Sequence, residues 1–161
     1  MSTTRVPAVE GWFTVPPEGS DEQPALIGTR CSLSGTYFFP PERVMSRAPG
    51  FADAELEEVT LSRTGRLWSY TNAGYRPPEP YVPVTDPHEP FCIAAVELEA
   101  ERIVVMGQVV AGVTVDDLQV GTEMELVVDV LNTEVDDDGN ETEYLIWKWR
   151  PVTAADTTGG V

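Results

Sequence analysis

Met124-Glu125-Leu126-Val127-Val128-Asp129-Val130-Leu131 is the stretch whose reading decides the fold. Met124, Leu126, Val128 and Val130 recur at every second position and alternate with Glu125, Val127 and Asp129, the period of a strand with one buried face. Short strand-like runs lie on both sides of it: Leu26 to Cys31, Tyr37 to Phe39, Leu56 to Leu61, Leu67 to Thr71, Phe91 to Leu98, Ile103 to Val110 and Tyr144 to Trp149. Glu99-Ala100-Glu101 separates two of them closely enough for a hairpin. Asp136-Asp137-Asp138-Gly139-Asn140 carries the polar and glycine turn chemistry of another. A mainly antiparallel sheet is expected. Helical potential is confined to Val115-Asp116-Asp117-Leu118, where acidic side chains suit a helix N-terminus and Gly121 ends it.

Outside these runs the composition changes. Residues 1–24 hold Pro7, Pro16, Pro17, Pro24 and a Gly19 to Glu22 polar cluster, which cannot close a core alone and read as an extended arm. Trp12 and Phe13 in that arm are costly to leave in water, so they pack either on the domain or on another chain. Tyr75 to Pro90 contains six prolines, which exclude a central strand and favour a stiff presented loop with Tyr75, Tyr81 and, just after it, Phe91. Residues 153–161 are small and polar and are expected to form a disordered tail.

The charge balance narrows the partners. The 161 residues carry 27 acidic and 10 basic side chains, a net charge of -17, which repels phosphate backbones and anionic lipid. Nucleic acid and membrane are therefore not expected as partners. Cys31 and Cys92 form no disulfide framework, no basic segment followed by an apolar core opens the chain, and no run reaches the ~18 apolar residues of a membrane span. A cytoplasmic location is expected.

Pro24 to Cys31 followed by Ser34-Gly35-Thr36-Tyr37-Phe38-Phe39-Pro40-Pro41 resembles the first half of a rubredoxin-like zinc ribbon, in which Cys-x-x-Cys-Gly precedes an aromatic-Pro strand. Leu61 to Thr71, the Pro-rich loop and Ile93 to Glu99 resemble the OB-fold half of the same family, and residues 24 to 152 follow its order. This zinc-ribbon/OB-fold family was long classed as a domain of unknown function. The resemblance implies a mainly β chain, with an OB-fold five-stranded barrel at residues 63–152. A degenerate zinc-ribbon hairpin layer at 25–62 and the arm at 1–24 precede it. It also implies an accessory subunit of a thiolase-fold acyl-CoA enzyme: a thiolase, a hydroxymethylglutaryl-CoA synthase system or a steroid side-chain aldolase. Arg102 to Val109, Val120-Gly121 and Tyr144 to Pro151 look closest to the branch that degrades steroid or aromatic acyl-CoA.

A structural zinc needs four thiolate or imidazole ligands, and only Cys31 supplies one. Aligned on the family, the other three positions are Ser34, Ser46 and Phe51, so no metal is expected and acyl-CoA is the expected ligand only of the complex. His88 and Cys92 lie four apart, but a thiol nucleophile needs an oriented base, and structural roles are favoured. Glu134, Asp136, Asp138, Gly139 and Asn140 partly imitate a calcium loop whose twelfth position would be Leu145; a solvated hairpin tip is favoured. Trp147 and Trp149 alternate with Leu145 on one face, as core or as a stacking surface.

No self-contained catalytic set is visible. The expected partner contacts are Trp12, Phe13, Tyr75, Tyr81 and Phe91, with Arg66, Arg76 and Arg150 as weaker candidates for coenzyme A phosphates or partner carboxylates. The alternative is a free-standing OB-fold module for single-stranded nucleic acid.

Overall fold

A computed structural model of the chain describes residues 2–80, 85 and 87–153. Its strands are β1 (Thr3–Pro7), β2 (Ile27–Cys31), β3 (Tyr37–Phe38), β4 (Leu56–Thr60), β5 (Thr64–Ala73), β6 (Phe91–Leu98), β7 (Ile103–Val109), β8 (Glu123–Val135) and β9 (Glu141–Pro151). The chain is mainly β, and strands β5 to β9 close into the five-stranded barrel of an OB-fold.

Closure follows from pairing. β5 pairs with β6, β6 with β7, and β8 with both β9 and β5, all antiparallel. β7 and β9 run parallel through Gln108↔Lys148 and Val109↔Trp149, so the barrel, mainly antiparallel as expected, is mixed at this one seam. β5 serves two neighbours because its Thr64–Arg66 end turns onto β8 while the rest follows β6. Gly65 sits at this crossing, buried, where a side chain would collide with the Glu97 carbonyl and with Val96.

The barrel interior is built from alternate positions. Cys92, Ala94, Val96 and Leu98 of β6 are buried while Glu97 is exposed, and Met124 and Leu126 of β8 join Leu67, Val105, Leu145 and Trp149 in the same core. A bulge in β5 between Leu67 and Ser69 leaves Trp68 as the extra residue, 60% exposed. The short helical turn expected at Val115 to Leu118 is one 3-10 turn over Val115–Asp117, and Asp117 accepts hydrogen bonds from the Thr114 N–H and hydroxyl at 2.8 and 3.1 Å.

The layer before the barrel is a three-stranded antiparallel sheet ordered β3-β2-β4. It is joined to the barrel at the linker. Ser62 gives both N–H and hydroxyl to Glu101 Oε1 at 2.7 and 2.8 Å, and Arg63 donates to the carbonyls of Pro24 and Leu126 at 2.7 and 2.9 Å.

The arm is more ordered than its composition suggests. β1 extends the barrel sheet by pairing in parallel with Glu141–Leu145 of β9, and Phe13 bridges to Leu26. Residues 154–161, expected as a tail, lie outside the described residues.

Candidate functional site

The aromatic pair of the arm serves the chain's own core. Phe13 is 4% exposed and Trp12 is half-buried. Trp12 contacts Phe39 and Trp147 at centroid distances of 5.8 and 6.0 Å, and Phe13 contacts Trp147 at 5.8 Å. For Phe13 this corrects the expectation of a partner anchor, because burial against Leu26 and Trp147 already removes it from water, while Trp12 keeps part of its surface exposed. Trp147 also gives its indole N–H to the Met106 carbonyl at 3.0 Å, and Trp149 is fully buried, so neither forms an open stacking surface.

The Pro-rich loop behaves differently. Tyr75 is 76% exposed, whereas Phe91 is half-buried at the start of β6 and meets His88 at 6.1 Å between ring centroids. Tyr81 lies outside the described residues. Beneath the loop His88, Phe91, Cys92, Gln108, Val113 and Lys148 help line a cavity of about 210 Å³. Its chemistry is not that of a thiol enzyme. His88 Nε2 is 2.9 Å from the Ala73 carbonyl, Cys92 donates to the Val113 carbonyl at 3.5 Å, and burial, with the nearby Asp117 charge, pushes the Cys92 thiol up.

The three arginines do not form one anion site. Arg66 and Arg150 flank β8. Arg66 pairs with Glu99 at 3.4 Å and the Gly121 carbonyl at 3.3 Å, and Arg150 with Glu125 at 2.6 Å. Arg76 lies exposed beyond the far end of β5. The acidic hairpin tip is self-satisfied: Asp136 accepts from the N–H groups of Asp138 and Asn140 and from the Asn140 amide, and these bonds hold its carboxyl below the usual range.

The degenerate metal positions do come together in part. Cys31 is fully buried and Ser46 is 2% exposed. Burial pushes the Cys31 thiol up, but the Ser34 and Ser46 hydroxyls and the N–H groups of Ser34 and Leu33 outweigh it and hold the thiol at about 7, below its ordinary 9.0. Phe51 stands apart, 37% exposed. Among the described residues no group of three or more His, Cys, Asp or Glu side chains is placed to hold a metal ion.

Several exposed apolar side chains were not singled out from sequence. Leu33, Val44 and Met45 on the layer are 72, 90 and 47% exposed, and Trp68, Val104 and Met106 on the barrel are 60, 42 and 62% exposed. A groove of about 570 Å³ runs between layer and barrel, lined by Phe38, Phe39, Pro40, Ile103 and Val104 among others. Outward positions on β7 carried the signal: Val104 and Met106 fill the strand face where charged residues are usual. Among the described residues no helix is long and apolar enough to cross a membrane.

Fold and surface together define an OB-fold barrel with an appended three-stranded layer and several exposed large apolar side chains. Residues 58–129 match the family model of the ChsH2 C-terminal OB-fold domain. A DUF35 domain-containing scaffold protein of Methanocaldococcus jannaschii is 29% identical over 116 residues, covering 72% of this chain and 76% of the relative. A solved structure of an Ltp2-ChsH2(DUF35) aldolase has the same fold, with a TM-score of 0.55 and 24% identity over 80% of this chain and 86% of that one.

Proposed function

We propose that the chain is a non-catalytic accessory subunit of a thiolase-fold acyl-CoA enzyme, a thiolase or aldolase of steroid or aromatic acyl-CoA degradation. It stabilises that partner and shapes its acyl-CoA channel. The observation that carries this reading is the set of exposed large apolar side chains, Tyr75, Trp68, Val104 and Met106 foremost, on a chain of net charge -17. The scaffold and aldolase names of the two relatives support a role within an enzyme complex. Arg66 and Arg150 sit in exposed ion pairs worth about 1 kcal/mol or less, so they can exchange their carboxylates for a coenzyme A phosphate or a partner carboxylate.

The test is co-expression with a thiolase-fold protein of the same cell. The expected result is a complex that survives size-exclusion chromatography and turns over acyl-CoA faster than the partner alone. A chain that elutes separately from every such protein, with enzyme activity unchanged, overturns the reading.

A further inference from the structure

Half of one barrel strand has an edge that no other strand covers. In an antiparallel pair, successive residues alternate between aiming their N–H and C=O at the neighbouring strand and aiming them away from it. On β7 the even-numbered residues aim away from β6. Met106 accepts the Trp147 indole N–H on its carbonyl at 3.0 Å, and Val110, just past the strand, donates its N–H to the Trp149 carbonyl at 3.0 Å. β9 meets β7 only at Gln108 and Val109, because β1 occupies the same side of β9 from Glu141 to Leu145. The Val104 N–H and C=O and the Met106 N–H therefore point outward, and among the described residues nothing bonds them.

An open edge of this kind is a template for another strand, and proteins usually guard it with lysine, proline or inward-pointing charge. Ile103-Val104-Val105-Met106-Gly107 carries none of these. Val104 and Met106 instead stand 42 and 62% exposed. Opposite the edge the layer raises a wall of Phe38, Phe39 and Pro40, which with Ile103 and Val104 encloses the groove of about 570 Å³. Glu42 and Arg47 at its rim neutralise each other, and the exposed Glu97 and Arg102 beside the strand are of opposite sign, so the groove itself is apolar and near neutral.

These features select the occupant. The wall recesses the edge, so a second barrel cannot lie flush against it, and two chains of net charge -17 repel each other. Residues 154–161, Ala-Ala-Asp-Thr-Thr-Gly-Gly-Val, offer a single branched apolar side chain and an aspartate, a poor match to an apolar groove. A lone extended segment supplies both the missing backbone partners and, at alternate positions, apolar side chains for the wall.

We propose that one extended segment of the partner subunit, apolar at alternate positions and flanked by Lys or Arg to suit the chain's net charge of -17, adds to the Ile103–Met106 edge of β7 as a strand, seated against the Phe38–Pro40 wall. This rests on the accessory-subunit reading above and names how the two subunits are joined.

The test is amide hydrogen exchange in the full chain, free and in complex with the co-expressed thiolase-fold protein. In the free chain the Val104 and Met106 amides should exchange much faster than those of Val105 and Gly107, which face Val96 and Ala94 of β6. In the complex the first pair should slow by about tenfold or more. Val104→Pro removes an N–H that bonds nothing within the chain, so it should fold and bind the partner about tenfold more weakly, whereas Val104→Thr, which keeps the N–H and the branched shape, should bind within about threefold of the natural chain. A complex in which both amides exchange as in the free chain overturns the inference and leaves the accessory-subunit reading standing, as does a folded Val104→Pro chain that binds undiminished. Absence of any complex removes both. Slow exchange in the free chain also overturns it: loss of that protection on deleting residues 154–161 would assign the groove to the chain's own end, and protection that grows with concentration would assign it to a second copy. If Val104→Pro does not fold, the amides of the natural chain decide alone.

Discussion

The indole of Trp12 lies against that of Trp147 with ring centroids 6.0 Å apart and planes tilted by 37°. The arm is thereby part of the core, since Trp147 also meets Phe13 and Phe39 at 5.8 and 5.5 Å and Phe13 bridges to Leu26 of the layer. Phe13→Ala should cost the isolated chain about 3 kcal/mol, the usual scale for emptying a buried phenylalanine site. Chemical denaturation checks this, and an unchanged midpoint would contradict the packing. Any loss of partner binding in this variant therefore has to be read against its lowered stability.

Gly65 marks the place where the barrel closes. A Cβ there would meet the Glu97 carbonyl and lie 2.7 Å from Val96 Cγ1, and the backbone oxygen cannot rotate aside as a side chain can. Gly65→Ala should destabilise by about 2 kcal/mol or more through forced separation of β5 and β6. Its denaturation midpoint should fall well below that of an alanine substitution at exposed Ser69 of the same strand, which serves as the control.

What could be read from sequence was local. The alternation in Phe91 to Leu98 and Met124 to Leu131 survives as strands because neighbouring residues set the period. The pairing of β1 with β9 was not legible, since Thr3 to Pro7 has no apolar alternation and its partner begins 138 residues away at Glu141. The same limit applied to the site. Trp12 and Phe13 had to be buried somewhere, and an aromatic bound for its own core looks the same in sequence as one bound for another protein's.

Cys31 gives the fold a pH dependence whose sign can be worked out. Its thiol is lowered in the folded chain to about 7 from 9.0, so the native state binds fewer protons than the unfolded chain in that interval. The associated stability is fully present above pH 9.0 and is lost as the pH falls through about 7, so unfolding free energy should rise from pH 7 to 9. Cys31→Ala should be less stable throughout and should have a flatter slope across this window. Denaturation series at several pH values separate the two effects, and an equal slope in both proteins would count against thiolate stabilisation.

Tyr75 offers the cleanest probe of docking because, unlike Phe13, it does little for the isolated chain. It is 76% exposed at the entrance to the Pro-rich loop, and a loop stiffened by Pro77, Pro78 and Pro80 loses little conformational freedom when a partner covers it. Tyr75→Ala should leave the denaturation midpoint within experimental error and weaken association with the thiolase-fold partner by about 2 kcal/mol if the ring is an anchor. The net charge of -17 adds a kinetic signature. A partner surface carrying Lys and Arg around an apolar centre would be steered toward this chain, so the association rate should fall as salt is raised while dissociation changes little. Surface plasmon resonance of the natural chain and Tyr75→Ala at low and high ionic strength measures both effects. Undiminished affinity in Tyr75→Ala would remove the loop entrance from the interface and leave the Val104–Met106 face as the surface to substitute next.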